Sequence, residues 1–339
     1  GGRYIGTGDV VITRDPDEGW VNLGTYRIMV HDETTLGFYI SPGGHGRIHR
    51  DKYFERNQPC KVAISFGHDP LIFVAGSLEI PNGMSEYEWI GGVRGEPVDV
   101  IKGEYTGLPI PAHAEIVIEG ESDPDERRME GPFGEYTGYY GSDARPEPVI
   151  KIKSIMHRGA PVLLAKPPYR PLSGNLCHRY FLRTAQIWDE VEKAGVPDVK
   201  GVWYLVAGIE NLITVVAIRQ RYPGHARQAG LIATMCRSGG NLGRYTIVVD
   251  DDIDITSVDD VLWAWATRSD PKRSIEIVDR CWSNPLDPAM QKGTGNFNSR
   301  AIIDACRPFE WKEEFSRVVE PSEELKERTR QRWSDILSD

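Results

Sequence analysis

The chain has 339 residues, long enough for two domains, and its apolar content can fill two cores. Its formal net charge of −10 argues against a nucleic-acid partner, because no basic patch is present to neutralise phosphates. No apolar run of about eighteen residues predicts a membrane span, and five widely spaced cysteines without a C-x-x-C pattern are typical of reduced thiols in a cytoplasmic protein.

The first part of the chain, up to residue 155 or so, is dominated by strand patterns. Runs rich in β-branched residues are separated by Pro- and Gly-rich breaks, which favours a β-barrel over alternating βαβ units. No G-x-G-x-x-G segment opens a helix here, so a Rossmann dinucleotide site is not predicted. The predicted strands cover residues 9–13, 27–40 with a turn at 32–35, 61–66, 71–75, 114–119 and 149–155.

Residues 129–138, Met-Glu-Gly-Pro-Phe-Gly-Glu-Tyr-Thr-Gly, form the most informative segment. Gly131 and Gly134 permit a positive φ and Pro132 fixes one φ, so the segment predicts a rigid elbow that aims Glu130 and Glu135 into one cavity. Two carboxylates in one apolar site have pKa values that are pushed apart, which suits proton transfer. The simpler interpretation is a solvated turn with two unrelated surface glutamates.

The second part of the chain predicts helices alternating with strands. A helical pattern over 176–194 ends at Gly195 and Pro197 and is interpreted as a connector between domains. Beyond it, an α/β domain is predicted from strands at 201–207, 213–218 and 245–249 and helices at 226–233, 258–266 and 301–305. A polar helix over 322–337, with Trp333 and Ile336 at one edge, packs either on a partner subunit or on its own domain.

Four polar residues in the strand-rich part complete a candidate site: Asn22, Arg27, His45 and Glu86. An amide oxygen, an imidazole and a carboxylate form a ligand set suited to Mn²⁺ or Mg²⁺, and the absence of a thiolate disfavours structural zinc. The planar fork of Arg27 can hold a carboxylate through two hydrogen bonds. Taken singly, Asn22 could be a turn residue, His45 a surface loop histidine and Glu86 the first residue of a helix.

With Glu130 and Glu135, the joint spacing of these residues resembles the UbiD family of decarboxylases, which use prenylated FMN. In that family an Asn precedes the catalytic Arg by five residues, as Asn22 precedes Arg27, and a His follows about eighteen residues later. A Glu then follows a Pro-x-Gly turn, as at residues 81–86. The resemblance continues through 249–254, 262–268 and 285–288 and covers most of the chain.

The resemblance implies a role for each of the six residues. Asn22, His45 and Glu86 would bind the divalent metal, Mn²⁺ or Mg²⁺, that holds the cofactor phosphate. Glu130, Arg27 and Glu135 would form the catalytic Glu-Arg-Glu network. In it Arg27 would orient the substrate carboxylate, Glu135 would return a proton to the carbanionic carbon, and Glu130 would hold Arg27.

The resemblance also implies contacts made mainly by the backbone. Besides Asn22, Arg27, His45 and Glu86, the residues expected to contact the cofactor are Leu23, Gly24, Thr25, Gly44 and Ser77. A K⁺ ion would bind backbone oxygens of Ala75, Gly76 and Leu78 together with Glu86. Many members of the family have a lysine near the start of the 249–254 strand that reaches the cofactor phosphate. This chain has no lysine at 235–244, and Arg237 or Arg244 is expected to replace it.

For the whole chain, the resemblance implies an α+β fold: a split β-barrel of the flavin-reductase type joined by a helix to a C-terminal α/β domain. We expect a cofactor-binding barrel at 1–160, a connector with a helix at 161–197, an α/β domain at 198–315 and a helical tail at 316–339.

The function implied is reversible non-oxidative decarboxylation of an aromatic, heteroaromatic or α,β-unsaturated carboxylic acid, with CO2 as the second product. A flavin prenyltransferase would supply the cofactor, and a homo-oligomer is expected. Two alternatives stay open: a flavin-dependent oxidoreductase of the split-barrel type, and a cofactor-free subunit of a multi-subunit carboxylase. The second is suggested by the longer upstream segment that the family carries before this point.

Overall fold

A computed structural model describes residues 2–6, 8–78, 80–165, 177–205, 212–240, 242–284, 286–291 and 297–337. The described residues form two large sheets, one in each half of the chain, with a long helix between them in sequence. The predicted α+β class, with a curled barrel-like sheet followed by a separate α/β domain, is confirmed. Within these ranges, no helix has both the length and the apolar character needed to cross a membrane.

The N-terminal domain consists of one curled sheet with helices on its outside. Its strands are β1 (Arg3–Gly6), β2 (Val10–Arg14), β3 (Val21–Gly24), β4 (Ile28–Asp32), β5 (Thr35–Gly37), β6 (Cys60–Phe66), β7 (Val100–Lys102), β8 (Pro109–Pro111), β9 (Ile116–Ser122), β10 (Arg127–Glu130) and β11 (Arg145–His157). Nine of them form the sheet in the spatial order β1-β4-β5-β11-β9-β6-β2-β3, with β10 paired to β11, and β7 pairs with β8 apart from it.

Three helices cover this sheet: α1 (His45–Glu55), α2 (Pro70–Gly76) and α3 (Glu86–Arg94). Successive residues of β2 point to opposite faces, so Val11 joins one apolar core while Val10 and Ile12 join another. Helix α1 packs beside the first core, and α2 and α3 contribute to the second. The sheet therefore has apolar residues buried on both faces, as expected for a curled sheet wrapped by helices.

The strand predicted at 71–75 is wrong, because these residues belong to helix α2. Asp69 caps the helix by accepting a hydrogen bond from the Leu71 backbone N–H at 2.8 Å, and Pro70 occupies the first helical turn. These start signals outweigh the β propensity of the apolar run Leu-Ile-Phe-Val. The correction matters because the C-terminal end of α2 lies beside the candidate site.

The C-terminal domain consists of a five-stranded sheet with helices packed against it. Its elements are α4 (Cys177–Lys193), β12 (Val199–Tyr204), β13 (Ile213–Ile218), α5 (His225–Met235), β14 (Tyr245–Asp250), α6 (Val258–Arg268), α7 (Pro271–Ser274), β15 (Ile275–Trp282), β16 (Phe297–Ala305), α8 (Glu323–Arg332) and α9 (Ser334–Leu337). The sheet order is β12-β13-β14-β16-β15. The central strands β13, β14 and β16 are parallel, and both edge strands are antiparallel to their neighbours.

The helix predicted at 301–305 is wrong, because these residues form the end of strand β16. Ile302 and Ile303 are buried between β14 and β15, where β-branched side chains pack well, and the flanking alanines do not decide the structure. The predicted connector helix is present as α4. Its residues Ile187 and Val191 pack into the C-terminal core. Residues 166–176 of the connector, residues 206–207 of a predicted strand, and Pro285 of the 285–288 segment lie outside the described residues.

Candidate active site

Arg27 is held between the two glutamates of the elbow. Its Nε and Nη2 each donate to one oxygen of Glu130 at 2.8 Å, and its Nη1 donates to Glu135 Oε1 at 2.9 Å. All three side chains are nearly buried, with 9% of Arg27, 2% of Glu130 and 12% of Glu135 exposed. The sequence prediction that these three residues form one cluster therefore agrees with the geometry.

The backbone around the elbow explains how two glutamates five residues apart reach the same arginine. Glu130 is the last residue of β10, where it pairs with Arg145 of β11. Gly131 then takes a φ of +94°, which redirects the chain away from the sheet. Glu135 lies in a tight turn, since its N–H donates to Tyr139 O at 2.8 Å and its carbonyl accepts from Gly138 N at 2.9 Å. Gly134 takes part in an isolated β-bridge with Tyr140.

Aromatic side chains, which the sequence analysis did not single out, surround the arginine. The guanidinium carbon lies 4.1 Å from the centre of the Tyr39 ring and 4.8 Å from that of Phe133. Tyr4 packs edge-on against Phe133 and donates its hydroxyl to Glu130 Oε1 at 2.8 Å. The rings limit the orientations open to the guanidinium group and exclude water from it. Its ion pairs with the glutamates are stronger as a result. Phe133 was visible within the elbow motif, whereas no spacing rule points to Tyr4 or Tyr39.

The electrostatics of the cluster favour one proton on Glu135. Burial raises the pKa of Glu135 above its ordinary value, the Arg27 charge opposes that shift, and the neighbouring Glu130 adds to it. The pKa of Tyr4 is also raised, first by burial and then by its hydrogen bond to Glu130. Glu135 is therefore suited to hold a proton for transfer at a pH where an exposed glutamate is ionised.

The second predicted cluster, formed by Asn22, His45 and Glu86, surrounds Tyr26. The Tyr26 hydroxyl accepts from Asn22 Nδ2 at 3.4 Å and from the backbone N–H of Gly46, the residue after His45, at 3.1 Å. The negative charge of Glu86 contributes to the raised pKa of Tyr26, whose main cause is burial. The sequence analysis missed Tyr26, although it is the residue immediately before Arg27.

Glu86 is the first residue of α3, as the simpler interpretation proposed, and its side chain is nevertheless buried. It accepts a hydrogen bond from the Leu23 backbone N–H at 2.7 Å, which places its carboxylate next to Asn22. Burial raises its pKa to about 7, against the opposing effects of the N–H groups of Leu23 and of Glu86 itself. Among the described residues, no lysine or arginine forms an ion pair with it.

His45 is the first residue of α1. Burial and the positive charge of Arg237 lower its pKa, so the imidazole is neutral and able to act as a ligand. Its ring also meets the edge of Trp20 at 5.4 Å between centres, and Trp20 contacts His49 on the next turn of α1. Across the described ranges, no group of three or more His, Cys, Asp or Glu side chains is placed to hold a metal. The set proposed here contains two such side chains and an amide.

The remaining predicted contact residues lie around the same place. Thr25 donates its backbone N–H to Gly76 O at 2.9 Å, which joins β3 to the end of α2. Leu78 N donates to Ala75 O at 3.0 Å, and Ser77 caps α2 with its hydroxyl on Val74 O at 2.7 Å. A Cβ on Gly24 would overlap the Tyr26 ring, and a Cβ on Gly44 would lie 2.9 Å from Ile40 Cγ2. Leu23 is buried in the second core.

The C-terminal domain reaches both clusters. The Arg237 charge acts on His45, as described above. A Cβ on Gly141 would lie 2.8 Å from Glu135 Cγ and 3.2 Å from Leu286 Cδ2, so Leu286 lies next to Glu135. Arg244, the other candidate for the missing lysine, is engaged elsewhere, because it forms an ion pair with the buried Asp287.

Two family models match almost the whole chain. The 3-octaprenyl-4-hydroxybenzoate carboxy-lyase Rift-related domain matches residues 1–171, and the C-terminal domain of the same carboxy-lyase matches residues 178–305. Both carry the name UbiD, so the resemblance inferred from the spacing of six residues is confirmed.

Individual relatives agree with the family models. The chain is 31% identical over 350 residues to a pyrrole-2-carboxylic acid decarboxylase of Pseudomonas aeruginosa. This match covers 99% of this chain and 70% of the relative. It is 32% identical over 313 residues to a phenolic acid decarboxylase of Bacillus subtilis, covering 91% of this chain and 65% of the relative.

The structure resembles that of the UbiD-class enzyme HmfF from Pelotomaculum thermopropionicum in complex with FMN. The TM-score is 0.85 at 32% identity, and the match covers 96% of this chain and 70% of HmfF. An evolved dimeric form of HmfF, in complex with prFMN, matches with a TM-score of 0.79 at 30% identity, over 94% of this chain and 68% of that form. With two matching family models and relatives above 30% identity, the chain belongs to the UbiD family of carboxy-lyases.

Proposed function

We propose that this protein catalyses the reversible non-oxidative decarboxylation of an aromatic, heteroaromatic or α,β-unsaturated carboxylic acid with prenylated FMN as its cofactor. The observation that carries the proposal is the buried Glu130–Arg27–Glu135 network, which combines a carboxylate-binding group with a proton donor in one apolar site. HmfF binds FMN and prFMN, and two relatives decarboxylate phenolic and pyrrole-2-carboxylic acids, which supports the cofactor and the class of substrate.

The residues around Tyr26 fit a divalent cation. Among the described residues, no cationic side chain pairs with the buried Glu86 carboxylate, and a cation beside it would offset the burial cost that raises its pKa. Asn22, a neutral His45 and Glu86 offer one nitrogen and two kinds of oxygen, a set suited to Mn²⁺ or Mg²⁺. Three protein ligands leave positions for a phosphate oxygen and water, so the metal would fix the cofactor phosphate.

A monovalent cation fits the end of α2. The carbonyl groups of Ala75 and Gly76 lie at the C-terminal end of this helix, where the helix dipole is negative. Among the described residues, Gly76 O accepts one hydrogen bond, from the Thr25 N–H, and has a second lone pair available, whereas Ala75 O accepts from the N–H groups of Ser77 and Leu78. Together with Leu78 and the Glu86 carboxylate, these two carbonyls are the proposed K⁺ ligands.

For the phosphate group of the cofactor, Arg237 is the better replacement for the family's lysine. Its charge acts on His45, a proposed ligand of the metal that would hold this phosphate. Arginine serves phosphate well, because its fork offers two parallel hydrogen bonds.

The proposed chemistry divides the work among three side chains. Arginine has five N–H donors and Arg27 uses three of them on the glutamates, so two remain for the substrate carboxylate. Glu130 keeps Arg27 in place by accepting hydrogen bonds from its Nε and Nη2. Prenylated FMN supplies the electron sink when the carboxylate leaves as CO2. Glu135 delivers a proton to the ring or alkene carbon that has lost CO2, and it takes that proton back in the carboxylation direction.

The same proposal implies a source of the cofactor, an oligomeric state and a cellular compartment. A flavin prenyltransferase would supply the cofactor, and the protein would act as a homo-oligomer, as the dimeric form of HmfF does. Four of the five cysteines, Cys60, Cys236, Cys281 and Cys306, have side chains that the structure describes and are free thiols, which suits the cytoplasm.

One preparation tests the proposal. The protein is produced together with a flavin prenyltransferase, and its absorption spectrum, the mass of its extracted cofactor and its manganese content are measured. CO2 release is then followed with a panel of phenolic, heteroaromatic and acrylic acids. Prenylated FMN, manganese and turnover of at least one acid are expected. Ordinary FMN with NADH oxidation, or a protein without any cofactor, would contradict the proposal and favour one of the two alternatives.

A further inference from the structure

Two loops of the C-terminal domain lie against the two polar clusters of the N-terminal domain. The Arg237 loop, residues 236–240 and 242–244, follows α5, and the charge of its arginine acts on His45. The Leu286 loop, residues 283–284 and 286–290, follows β15 and has Leu286 next to Glu135 and Gly141. The same domain thus reaches the proposed metal site through a charge and the proton donor through an apolar side chain.

A buried arginine ties both loops to the sheet. Arg300 of β16 is only 2% exposed. Its Nη1 donates to Thr234 O at the end of α5, and its Nη2 lies 2.6 Å from Gly240 O in the Arg237 loop. The same Nη2 lies 2.6 Å from Trp282 O, immediately before the Leu286 loop. All three acceptors are backbone carbonyls of the segments that begin or form the loops.

A buried carboxylate completes the network on the other side. Asp287, in the Leu286 loop, accepts from Arg244 at the end of the Arg237 loop and from Ala289 N at 3.1 Å. Asn298 of β16 donates to Asp287 Oδ2 at 3.1 Å and to Gly243 O at 3.3 Å. Asn298 also accepts from Arg300 Nε at 3.4 Å, so the polar contacts run without interruption from one loop to the other.

We propose that Arg300, Asn298 and Asp287, together with Arg244, form a positioning network that sets the Arg237 loop against the cofactor phosphate and the Leu286 loop against Glu135. The role of Arg237 in this inference rests on the proposed function. Apolar side chains would fill the same volume, but they could not fix the direction of three backbone carbonyls, which the rigid guanidinium fork does. The network therefore aligns two loops whose positions must both be correct at the same time.

Amide hydrogen exchange on the full chain without cofactor tests the network itself. Asp287→Asn keeps the size of the side chain and removes the charge that holds Arg244. We expect about tenfold faster exchange in peptides covering both loops, because Gly240 N–H and Met290 N–H are bonded within them. Asp250→Asn is the matched control, since Asp250 is a buried carboxylate of the same domain whose side-chain partners among the described residues are Gln220, Arg268 and Arg307, outside both loops. Faster exchange in only one loop, or equal effects of the two variants, would overturn the inference.

Binding of FMN tests the link to the site. Arg237→Gln and Asp287→Asn are each expected to weaken FMN binding about tenfold, measured by flavin fluorescence, while the double variant is weakened little further. Separate losses that multiply to about a hundredfold would mean that Asp287 does not act through Arg237, and the inference would fail. If the parent protein binds neither FMN nor prenylated FMN, the proposed cofactor is wrong, whereas the exchange experiment still decides whether the network positions both loops.

Discussion

Glu130 and Glu86 are both buried carboxylates of the N-terminal domain, with 1% and 2% exposed, and they differ in what they face. Glu130 accepts two hydrogen bonds from Arg27 and one from Tyr4, so its charge is balanced by side chains of the chain itself. Glu86 accepts from the Leu23 backbone N–H, and burial raises its pKa to about 7. Within the described part of the protein, no cationic side chain balances it.

This difference separates two kinds of functional site. The Arg27 cluster is complete, since its own charges and aromatic rings fix its geometry before any ligand arrives. As proposed, the Tyr26 cluster would be completed by an added cation, so we expect the metal content to depend on this cluster and not on Arg27. The two clusters should therefore respond differently to mutation, to metal removal and to pH.

The largest effect is expected at the complete cluster, from Glu135→Gln. Glutamine keeps the size of the side chain and its acceptor oxygen for Arg27 but cannot transfer the proton. Turnover should fall on the order of a hundredfold or more, while cofactor and metal content stay as in the parent. Steady-state decarboxylation and the flavin spectrum measure the two quantities.

The control for this substitution is Glu88→Gln. Glu88 forms a capping box with Ser85 at the start of α3, and glutamine supports the same arrangement, so activity should not change. A Glu135→Gln variant that turns over at close to the parent rate with the cofactor bound would refute the proposed proton donor.

The incomplete cluster is tested by His45→Ala. Removing one of the three proposed metal ligands should lower the manganese content at least tenfold. Most of the cofactor should be lost with the metal. The melting temperature of the metal-free protein should change little, because no metal contributes to it. Elemental analysis and thermal melting check both parts. His113→Ala, a substitution of a histidine whose side chain is 75% exposed, serves as the control. Unchanged metal content in His45→Ala would remove His45 from the site.

The sequence predicted that Glu130, Arg27 and Glu135 come together, and their hydrogen bonds agree, whereas the surroundings of both clusters were not predicted. The roles proposed for these residues stay predictions. Tyr4, Tyr39 and Tyr26 were missed, because an aromatic residue that packs on a functional group has the same sequence pattern as one in a core. The helix at 70–76 and the strand at 297–305 were missed for a related reason, since helix capping and tertiary packing outweighed the local propensity of short apolar runs.

Asp9 sharpens the comparison, because it is a third buried carboxylate, and neither of its oxygens has a hydrogen-bond partner in another residue that the structure describes. Burial raises its pKa well above the ordinary value of 3.8. We therefore expect Asp9 to be protonated in the folded protein at a pH where an exposed aspartate is ionised. Its contribution to stability is then present below pH 4 or so, and it is lost as pH rises toward the folded pKa.

Asp9→Asn tests this expectation. Relative to the variant, the free energy of unfolding of the parent should fall by up to about 1.4 kcal/mol per pH unit as pH rises above about 4. Denaturant unfolding of both proteins at several pH values measures the difference between their free energies of unfolding. The contributions of all other groups cancel in this difference. Asp123→Asn, at an exposed position, should run parallel to the parent. Parallel curves for Asp9→Asn would show instead that folding does not raise the pKa of Asp9.

The smallest effect is expected from Tyr4→Phe, which removes one neutral donor from Glu130 and leaves the two hydrogen bonds from Arg27 in place. The phenylalanine ring keeps the edge-on contact with Phe133, so only the hydroxyl is lost. A single hydrogen bond to a charged acceptor contributes about 1.5 kcal/mol, which corresponds to about a tenfold loss of kcat at most. Tyr139→Phe, at an exposed tyrosine of the same elbow, should have no effect. Because the Arg27 cluster is complete without the cation, the loss in Tyr4→Phe should appear in kcat with metal content unchanged. A loss of metal or cofactor in this variant would mean that the two clusters are coupled, and the distinction between them would not hold.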